Sequence, residues 1–561
     1  MAEHLFTKEE VEASKGATGR IVRIVGPVVD VEFPPDQLPA IYNALTVDAK
    51  TEAGDLHVVL EVETHLPGNI VGMVGAMGPK TQNLVDNYAV QKHQVGSSIK
   101  PLTVYSAALD AGAVTPATTF DNYPVELMNN SPWPKNSPNT YTGWTMIGEG
   151  VRRSINTIAV QTVEALGVAE SYAYAMEKLG LSLVPEDMAV SPLAMGGLTY
   201  GLSTVEMAAA FSAFANSGVY NSPKMYTEVR DSNGETVLKN EGETHVAMKE
   251  TTAYFMNQML TSVVNAGTGT SAKFSGMTIA GKTGTTDNSK TRYFVGYTPY
   301  YCAAVWTGYP KTNEKISASG NPAITMWKPV MQKIHEHLEN KSFAKPASGL
   351  EQVTVCADSG LRCTDACLSD IRGSRAVQVT VAAGTAPTEN CNLHTFVDYC
   401  TEGKCVATDS CPSSAVKQVG VLDFERTEYF KADGTRYASI ATDSAKNPDK
   451  MFHLIEMKRA IGLEPTPTAS GGETYPEVIG CPAHAGMTPV DPDHPGGGAD
   501  DPNDPNYSPS VDDPSGGFGD ANLPDDPTGG IVIPSEPPAP EDPSGGFGDA
   551  GMWAANLFNR N

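Results

Sequence analysis

The stretch Gly276–Gly308, GMTIAGKTGTTDNSKTRYFVGYTPYYCAAVWTG, decides the fold class. Its MTI and RYFVGYTP segments are typical of strands, and the polar run GTTDNSKT between them is typical of a turn. The stretch therefore predicts an antiparallel hairpin, followed by the strand-like run YYCAAVW. The same letters match the phosphate-binding pattern G-x-x-x-x-G-K-[ST]. A phosphate loop, however, leads from a strand into a helix, whereas here a second strand follows, so the hairpin is favoured.

Lys282-Thr283-Gly284 falls on the first strand of this hairpin. Gly284 has no side chain, so a peptide or a drug can approach the backbone closely. Lys282, Thr283 and Thr285 supply one cation and two hydroxyls along the same edge. The strand is therefore predicted to bind a terminal carboxylate.

Ser97-Ser98-Ile99-Lys100 lies upstream and offers a nucleophile with a nearby amine. If a helix begins at Ser97, residues i and i+3 share a face, which brings Lys100 beside the hydroxyl. Gly96 and Pro101 are compatible with a helix start at this point. Serine needs a base within hydrogen-bond reach, so Lys100 must be neutral and needs a depressed pKa.

Ser154-Ile155-Asn156 lies between these two motifs and opens the helical run NTIAVQTVEALG. A helix cap alone would explain Ser154, but the order of the three motifs favours a second hydroxyl and an amide for catalysis. Each short pattern has a second match elsewhere: Ser414-Ala415-Val416-Lys417 and Ser137-Pro138-Asn139. Ser137-Pro138-Asn139 lies in a proline-rich loop and Ser414-Ala415-Val416-Lys417 lies among the cysteines, so neither is favoured as a site.

Charge is concentrated at one end of the 561-residue chain, whose formal net charge is -26. From Glu464 onward there are about 17 acidic side chains and one base, and the sequence DPSGGFGDA occurs twice. This composition predicts a disordered acidic tail over 464–561. The acidic excess also argues against nucleic acid as a partner, because binding phosphates requires clustered Lys and Arg.

Nine cysteines are present, and Cys302 is predicted to be a core residue of the YYCAAVW strand. Seven others crowd one stretch: Cys356, Cys363, Cys367, Cys391, Cys400, Cys405 and Cys411. Paired Cys-x-x-Cys motifs are lacking, which disfavours zinc, and disulfides are favoured if the chain leaves the cytosol. The acidic N-terminal stretch predicts no signal peptide, and no apolar run reaches the length of a membrane span.

Residues 70–335 resemble the transpeptidase domain of bifunctional (class A) penicillin-binding proteins. The resemblance rests on NIVGMVGAMGPKTQNLVDNYAVQKHQVGSSIKPLTVY, GLSTVEMAAAFSAFANSGVY, VVNAGTGTSAKFSGMTIAGKTGTTDNSK and RYFVGYTPYYCAAVWTGY. It implies an α+β fold shared with serine β-lactamases, in which a mixed, mostly antiparallel sheet lies between helical layers. The fold requires no metal or cofactor. Val95 departs from the family, which usually has proline before the Gly-Ser pair.

This resemblance also implies roles for the motif residues. Ser97 would attack the penultimate carbonyl of peptidoglycan stems ending in D-Ala-D-Ala, and penicillin and other β-lactams would acylate the same serine. Ser154 would pass a proton towards the leaving amine, and Asn156 would hydrogen-bond the substrate and Lys100. The backbone N–H groups of Ser97 and Thr285 would form an oxyanion hole. Such enzymes act at the outer face of the cytoplasmic membrane or in the cell wall, with other cell-wall synthesis proteins as partners.

A second resemblance covers residues 16–71, where GRIVRIVGPVVDVEFPPDQLPAIYNALTV and HVVLEVETHLPGNIV are similar to the β-barrel domain of the ATP synthase β subunit. The predicted organisation is an N-terminal β segment at 1–71, a transpeptidase domain at 72–345, a cysteine-containing module at 346–463 and the tail. HVVLEV is expected to supply the first strand of the transpeptidase sheet. The alternatives are a non-catalytic chimera, a D,D-carboxypeptidase or β-lactamase-like hydrolase, and a nucleotide-binding module.

Overall fold

The computed structural model describes residues 20–25, 28–32, 46–51, 54–59, 62–64, 68–76, 86–230, 235–286, 289–309, 314–426, 448–467, 472–476 and 479–484. Before residue 65 the description is limited to backbone strands. The predicted acidic tail lies outside the described residues beyond His484. Within the described part of the chain, no helix is both long and apolar enough to cross a membrane.

The N-terminal segment forms short strands where the alternating Val and Ile residues predict them. These are β1 (Arg20–Val25), β2 (Val28–Glu32), β3 (Thr46–Thr51) and β4 (Gly54–Val59). β1 pairs with β2 and β3 pairs with β4, both antiparallel. HVVLEV therefore supplies only part of the first strand of the transpeptidase sheet. Its residues 57–59 lie in β4 and pair with β3, whereas Val62, its last residue, begins the strand Val62–Thr64 that joins the sheet.

A five-stranded antiparallel sheet lies at the centre of the fold, in the order β15-β16-β17-β5-β6. Its strands are β5 (Val62–Thr64), β6 (Ile70–Gly72), β15 (Ala280–Thr285), β16 (Thr291–Tyr297) and β17 (Tyr301–Gly308). The predicted hairpin is confirmed: Lys282 pairs with Val295 and Gly284 with Tyr293. Since a strand precedes and follows the turn, this segment has no phosphate-loop geometry.

Helices cover both faces of this sheet, as the α+β prediction requires. The helices of this domain are α1 (Ser106–Ala111), α2 (Ile147–Arg153), α3 (Asn156–Leu166), α4 (Val168–Glu177), α5 (Val190–Met195), α6 (Thr204–Ala215), α7 (Glu250–Ala266) and α8 (Pro322–Ile334), of which the last three pack directly on the sheet. Successive residues of β16 point to opposite faces. Tyr293 and Val295 enter the main core with Phe211 of α6, whereas Phe294 packs against Trp327 of α8. The Trp327 indole N–H also donates to backbone carbonyls of β16 and β17.

Small hairpins surround the sheet and the helices. Their strands are β7 (Thr119–Asn122), β8 (Glu126–Met128), β9 (Ser131–Trp133), β10 (Gly143–Met146), β11 (Val219–Asn221), β12 (Glu228–Arg230), β13 (Thr236–Lys239) and β14 (Thr244–Val246). β7 pairs with β10, β8 with β9, β11 with β14 and β12 with β13. The β7–β10 hairpin leads directly into α2 and so towards Ser154.

The cysteine-containing module is built from short strands. They are β18 (Leu350–Cys356), β19 (Ala376–Ala382), β20 (His394–Cys400), β21 (Cys405–Val406), β22 (Val416–Leu422), β23 (Thr466–Pro467) and β24 (Glu473–Thr474). Two helices accompany them, α9 (Asp365–Leu368) and α10 (Leu454–Ala460). The structure forms no disulfide, and all nine cysteines, each in a described stretch, are free thiols. β23, β24 and buried Cys481 follow Glu464, where the tail is predicted to begin.

A buried ion pair joins this module to the sheet-and-helix domain. The Arg426 guanidinium donates to both carboxylate oxygens of Asp121 on β7, at 2.8 Å each, and also to Asp449. The next residue of β7, Asn122, accepts hydrogen bonds from Asn136 and from Thr157 of α3. The module is thereby docked against the hairpin that supports the start of α3.

Candidate active site

Ser97 lies in the first turn of a helical segment whose geometry changes along its length. Gly96–Ile99 is a 3-10 turn, Pro101–Tyr105 is a π-helical turn, and α1 completes the segment. In a 3-10 helix, side chains at i and i+3 lie directly above one another, which aligns Ser97 with Lys100. The helix start predicted at Ser97 is therefore correct to within one residue.

The two adjacent serines of this turn have different environments. Ser98 is fully buried, and its hydroxyl donates to the carbonyl of Val95 at 2.7 Å. Ser97 is only half-buried. Ser97 is therefore the hydroxyl that a substrate can reach.

Gly96 is required by the contact between this turn and β15. Its φ is +51°, and a Cβ at this position would lie 2.6 Å from the carbonyl oxygen of Thr285. Any other residue would thus be strained and would push the strand away. The missing side chain brings the backbone of the Ser97 turn against the end of β15.

Lys100 is fully buried and held by the second motif. Its ammonium donates to the side-chain oxygen of Asn156 at 2.7 Å and to the carbonyl of Ser154 at 2.9 Å. The predicted hydrogen bond between Asn156 and Lys100 is thus present. Burial, together with the charge of nearby Lys282, lowers the pKa of Lys100 well below its ordinary value. These are the conditions under which a lysine can be a neutral base.

Ser154 occupies a strained position between two helices. It ends α2 in the left-handed region, with φ +60° and ψ +37°, and α3 begins two residues later. Ser154 is therefore not the N-cap of α3, since that position belongs to Ile155. A left-handed conformation is uncommon outside glycine and costs about 1 kcal/mol or more. It directs the Ser154 carbonyl to Lys100, while its hydroxyl accepts a hydrogen bond from Lys282 at 2.8 Å.

Lys282 lies in the middle of β15, and its ammonium points into this network. Besides Ser154, it donates to the carbonyl of Thr283 at 3.0 Å. Lys282 is fully buried, and burial lowers its pKa to about 7. The Ser154 hydroxyl, the two buried amines and the Asn156 amide thus form one connected set. Within it, Lys282 can exchange a proton with the Ser154 hydroxyl near neutral pH.

The groups that face outward on β15 are hydroxyls. Thr283 is half-buried, with its hydroxyl 2.8 Å from that of Thr268, and Thr285 is exposed. Sequence reasoning missed Arg292, which pairs with Thr285 across the hairpin and donates to its hydroxyl at 3.3 Å. The hairpin register is the signal that identifies it, because residues directly opposite each other share a face.

Asn136 is the second residue that sequence reasoning missed. Its side-chain oxygen accepts hydrogen bonds from the backbone N–H groups of Asn156 and Thr157. The neighbouring carbonyl of Lys135 accepts from the Asn156 amide at 2.7 Å. Asn136 thus caps α3 from the proline-rich loop, which sequence reasoning treats as lacking a defined element.

The second matches to the short motifs lie outside this set. Ser414 and Lys417 are both exposed on the cysteine-containing module, the serine in a 3-10 turn and the lysine in β22. Ser137 is exposed in its loop, and Asn139 accepts a hydrogen bond from Tyr141. The structure therefore brings together the three favoured motifs and separates these two from them.

Comparison with known families gives three matches along the chain. Residues 58–332 match the penicillin binding protein transpeptidase domain. Residues 346–396 match the C-terminal domain of penicillin-binding protein 1A. Residues 21–80 match the β-barrel domain of the ATP synthase alpha/beta family. The chain carries a transpeptidase domain of the class A penicillin-binding protein family.

Individual relatives agree with this assignment. The chain is 34% identical over 374 residues to penicillin-binding protein 1A of Clostridium perfringens, covering 64% of this chain and 45% of that protein. It is 32% identical over 269 residues to penicillin-binding protein 1F of Bacillus subtilis, covering 46% and 36% respectively. The chain thus spans less than half the length of these curated relatives.

A solved structure of penicillin-binding protein 1A from Haemophilus influenzae has the same fold as this chain. The TM-score is 0.50 at 19% sequence identity, over 66% of this chain and 63% of that one. The predicted fold class and both predicted resemblances are therefore confirmed. The transpeptidase match begins at residue 58, inside the barrel match, so the two families overlap at β5 and β6.

Proposed function

We propose that this chain is a peptidoglycan D,D-transpeptidase that forms an acyl-enzyme at Ser97 with stems ending in D-Ala-D-Ala, and that penicillin acylates the same serine. The observation that carries the proposal is the environment of Lys100. Its amine is fully buried, held by Asn156 and Ser154, and one 3-10 turn from the accessible hydroxyl of Ser97. A lysine with a depressed pKa at that position is a base matched to serine.

Acylation begins when the Ser97 oxygen attacks the carbonyl between the two D-alanines. Its proton passes to the neutral amine of Lys100. The C–N bond then breaks, and the departing D-Ala amine takes a proton from the hydroxyl of Ser154, which is replenished by Lys282. The 2.8 Å hydrogen bond from Lys282 to Ser154 and the Lys282 pKa of about 7 support this route.

The end of β15 orients the substrate. Thr283 and Thr285 offer hydroxyls to the terminal carboxylate, and the Arg292 guanidinium beside Thr285 adds a charge-assisted donor. The backbone N–H groups of Ser97 and Thr285 would stabilise the negative oxygen of the tetrahedral intermediate. The close packing of Gly96 on Thr285 supports this arrangement, since it fixes the two backbones relative to each other.

An amine of a second stem then attacks the acyl carbonyl and gives up a proton through the Ser154 hydroxyl to Lys282. The ester C–O bond breaks, and the Ser97 oxygen takes back its proton from Lys100. We place this reaction at the outer face of the cytoplasmic membrane or in the cell wall, where peptidoglycan stems occur. Water in place of the amine would make the chain a D,D-carboxypeptidase or, with a β-lactam, a β-lactamase-like hydrolase.

The test is covalent labelling of the full chain with a fluorescent penicillin, followed by intact-mass measurement. We expect a one-to-one adduct that is lost in Ser97→Ala and strongly slowed in Lys100→Met. Ser98→Ala is the matched control, because this neighbouring hydroxyl faces Val95 and its loss should leave the adduct intact. Folded wild-type protein without an adduct would refute the proposal and favour the non-catalytic chimera.

A second assay distinguishes transfer from hydrolysis. The chain is incubated with a stem peptide ending in D-Ala-D-Ala and an excess of an amine acceptor, and the products are identified by mass spectrometry. An amide with the acceptor is expected. Release of D-Ala with only the free acid as co-product would assign carboxypeptidase activity instead.

A further inference from the structure

The cysteine-containing module and the segment that follows it gather six of their eight thiols into two largely buried clusters, each with one imidazole. The first comprises Cys356, Cys367, Cys391 and His394, and the second Cys400, Cys411, Cys481 and His484. In each cluster the three sulfur atoms and one ring nitrogen all lie within 4.8 Å of one another. Three thiols and an imidazole that converge on one point are the ligand set of a structural zinc site.

Distances in the first cluster match a tetrahedral zinc centre. The Nδ1 atom of His394 lies 3.6 Å from the sulfurs of Cys356 and Cys367 and 3.2 Å from that of Cys391. Zinc binds sulfur at about 2.3 Å and imidazole nitrogen at about 2.0–2.1 Å, so tetrahedral angles place S and N about 3.6 Å apart. The space between these atoms therefore fits one zinc ion.

The opposite edge of the His394 ring has the partners that a ligating histidine needs. Its Nε2 lies 3.0 Å from a carboxylate oxygen of Asp370 and 3.3 Å from one of Asp358. Arg372 and Arg375 in turn donate to Asp358. A carboxylate on Nε2 keeps the proton there and turns the lone pair of Nδ1 towards the thiols, as in carboxylate–histidine–zinc arrangements.

The second cluster repeats this geometry. The Nδ1 atom of His484 lies 3.6 Å from the sulfur of Cys400 and 3.3 Å from that of Cys481, and these two sulfurs are 3.7 Å apart. Two thiolates on one tetrahedral zinc are separated by about 3.8 Å. The Nε2 atom of His484 lies 3.0 Å from Glu402, and the backbone N–H of Gly403 donates to Cys400.

One strand connects the two clusters. His394 begins β20 and Cys400 ends it, so both sites depend on the same seven residues. The first cluster ties β20 to the end of β18 and to α9, which contains Cys367. The second ties the other end of β20 to the segment that contains Cys481 and His484. Each site thus closes a long loop of a module with few apolar core residues.

We propose that this module binds two structural zinc ions, one in each cluster, through three thiolates and the Nδ1 atom of a histidine. Each site takes up Zn²⁺ as its thiols lose their protons, and the bound ion holds β20 between β18 and the segment at 481–484. Oxidation to disulfides is the competing chemistry, and zinc ligation would account for six of the nine free thiols without it.

The experiment measures metal in the full chain, purified in a reducing buffer supplied with zinc and then freed of unbound metal. Inductively coupled plasma mass spectrometry should find two zinc ions per chain. Replacing both members of a Cys-x-x-His pair, Cys391→Ala with His394→Ala or Cys481→Ala with His484→Ala, should leave one. The ion retained at the intact site is the internal control for folding.

Cys363→Ser is the matched control, because this thiol packs beside the first cluster without belonging to the four ligands. It should retain both ions. If the Cys363→Ser variant bound only one zinc ion, the assigned ligand set would be wrong. Wild-type protein without zinc, or with disulfides in place of the thiols, would overturn the proposal. Cobalt substitution gives a second readout, since a tetrahedral thiolate spectrum is expected and an octahedral one would contradict the sites. None of these measurements depends on penicillin labelling.

Discussion

Replacing Lys282 with methionine should make the transpeptidase domain more stable while abolishing its activity. Lys282 is fully buried among polar partners in β15, and burial lowers its pKa from 10.5 to about 7. At about 1.36 kcal/mol per pKa unit, holding this ammonium in the folded state costs about 5 kcal/mol. Methionine has a similar shape and no charge, so it removes that cost.

Lost hydrogen bonds offset part of this gain. The Lys282 ammonium donates to the Ser154 hydroxyl and to the Thr283 carbonyl, each worth about 1 kcal/mol net. The expected increase in the free energy of unfolding is therefore about 2–3 kcal/mol. For a domain of this size, that corresponds to an increase in melting temperature of about 5–10 °C.

The increase in stability should depend on pH, which distinguishes the removal of a buried charge from an improvement in packing. Because the folded pKa of Lys282 lies below the unfolded one, the unfolded chain binds more protons between about pH 7 and 10.5. The stability of the wild type therefore rises with pH over this window, by about 3 kcal/mol from pH 6 to pH 9 for Lys282 alone. The Lys282→Met variant lacks this rise, so its advantage should be present at pH 6 and vanish by pH 9.

Urea and thermal unfolding of both proteins, followed by tryptophan fluorescence at pH 6 and pH 9, tests this reasoning. Lys333→Met is the control, because that lysine is exposed on α8. Its substitution should leave the free energy of unfolding unchanged at both pH 6 and pH 9. A Lys282→Met variant that is less stable than the wild type at pH 6, or whose advantage is the same at both pH values, would refute the assigned cost of burial.

Two further predictions concern the active-site network. A plot of the rate of acylation by penicillin against pH should be bell-shaped. The rate should fall on the acid side as Lys100 gains a proton, and on the alkaline side, near pH 7, as Lys282 loses one. A rate that is independent of pH from 5 to 9 would contradict this. Asn136→Ala should slow acylation at least tenfold and cost about 1–2 kcal/mol of stability by uncapping α3. Asn136→Asp keeps the acceptor for the Asn156 N–H but loses the donor to Asn122, so it should recover only part of both losses in denaturation and labelling assays.

Strand and helix patterns were enough to predict the hairpin and the helix start at Ser97, and the resemblance to penicillin-binding transpeptidases implied the contact between Asn156 and Lys100. They could not predict Asn136, because a cap reaching α3 from 20 residues upstream depends on how the proline-rich loop folds back. Arg292 becomes visible only once the register of the hairpin is known. Local spacing reveals partners on one element, whereas partners from different elements require the tertiary fold.

The cysteine clusters were missed for a different reason. A search for Cys-x-x-Cys pairs passes over Cys391-Asn-Leu-His394 and Cys481-Pro-Ala-His484, although histidine ligates zinc as well as cysteine does. Cys481 also lies beyond Glu464, in sequence whose composition predicts disorder. The proposed zinc ligands Cys481 and His484 would therefore explain why a described segment follows the predicted domain end.

The overlap of two families at β5 and β6 follows from how the strands at this edge of the sheet are held. Tyr301 pairs with Thr64 and Cys302 with Glu63 through backbone hydrogen bonds, which any residue except proline can make. A strand at this position needs extended backbone and β propensity, so a segment similar to the ATP synthase barrel can complete the sheet. Lys282, Thr283 and Thr285, the proposed site residues that belong to the sheet, lie on β15, which is separated from this junction by β16 and β17. Changes in the identity of β5 should therefore alter stability at that edge and leave the network around Lys100 intact.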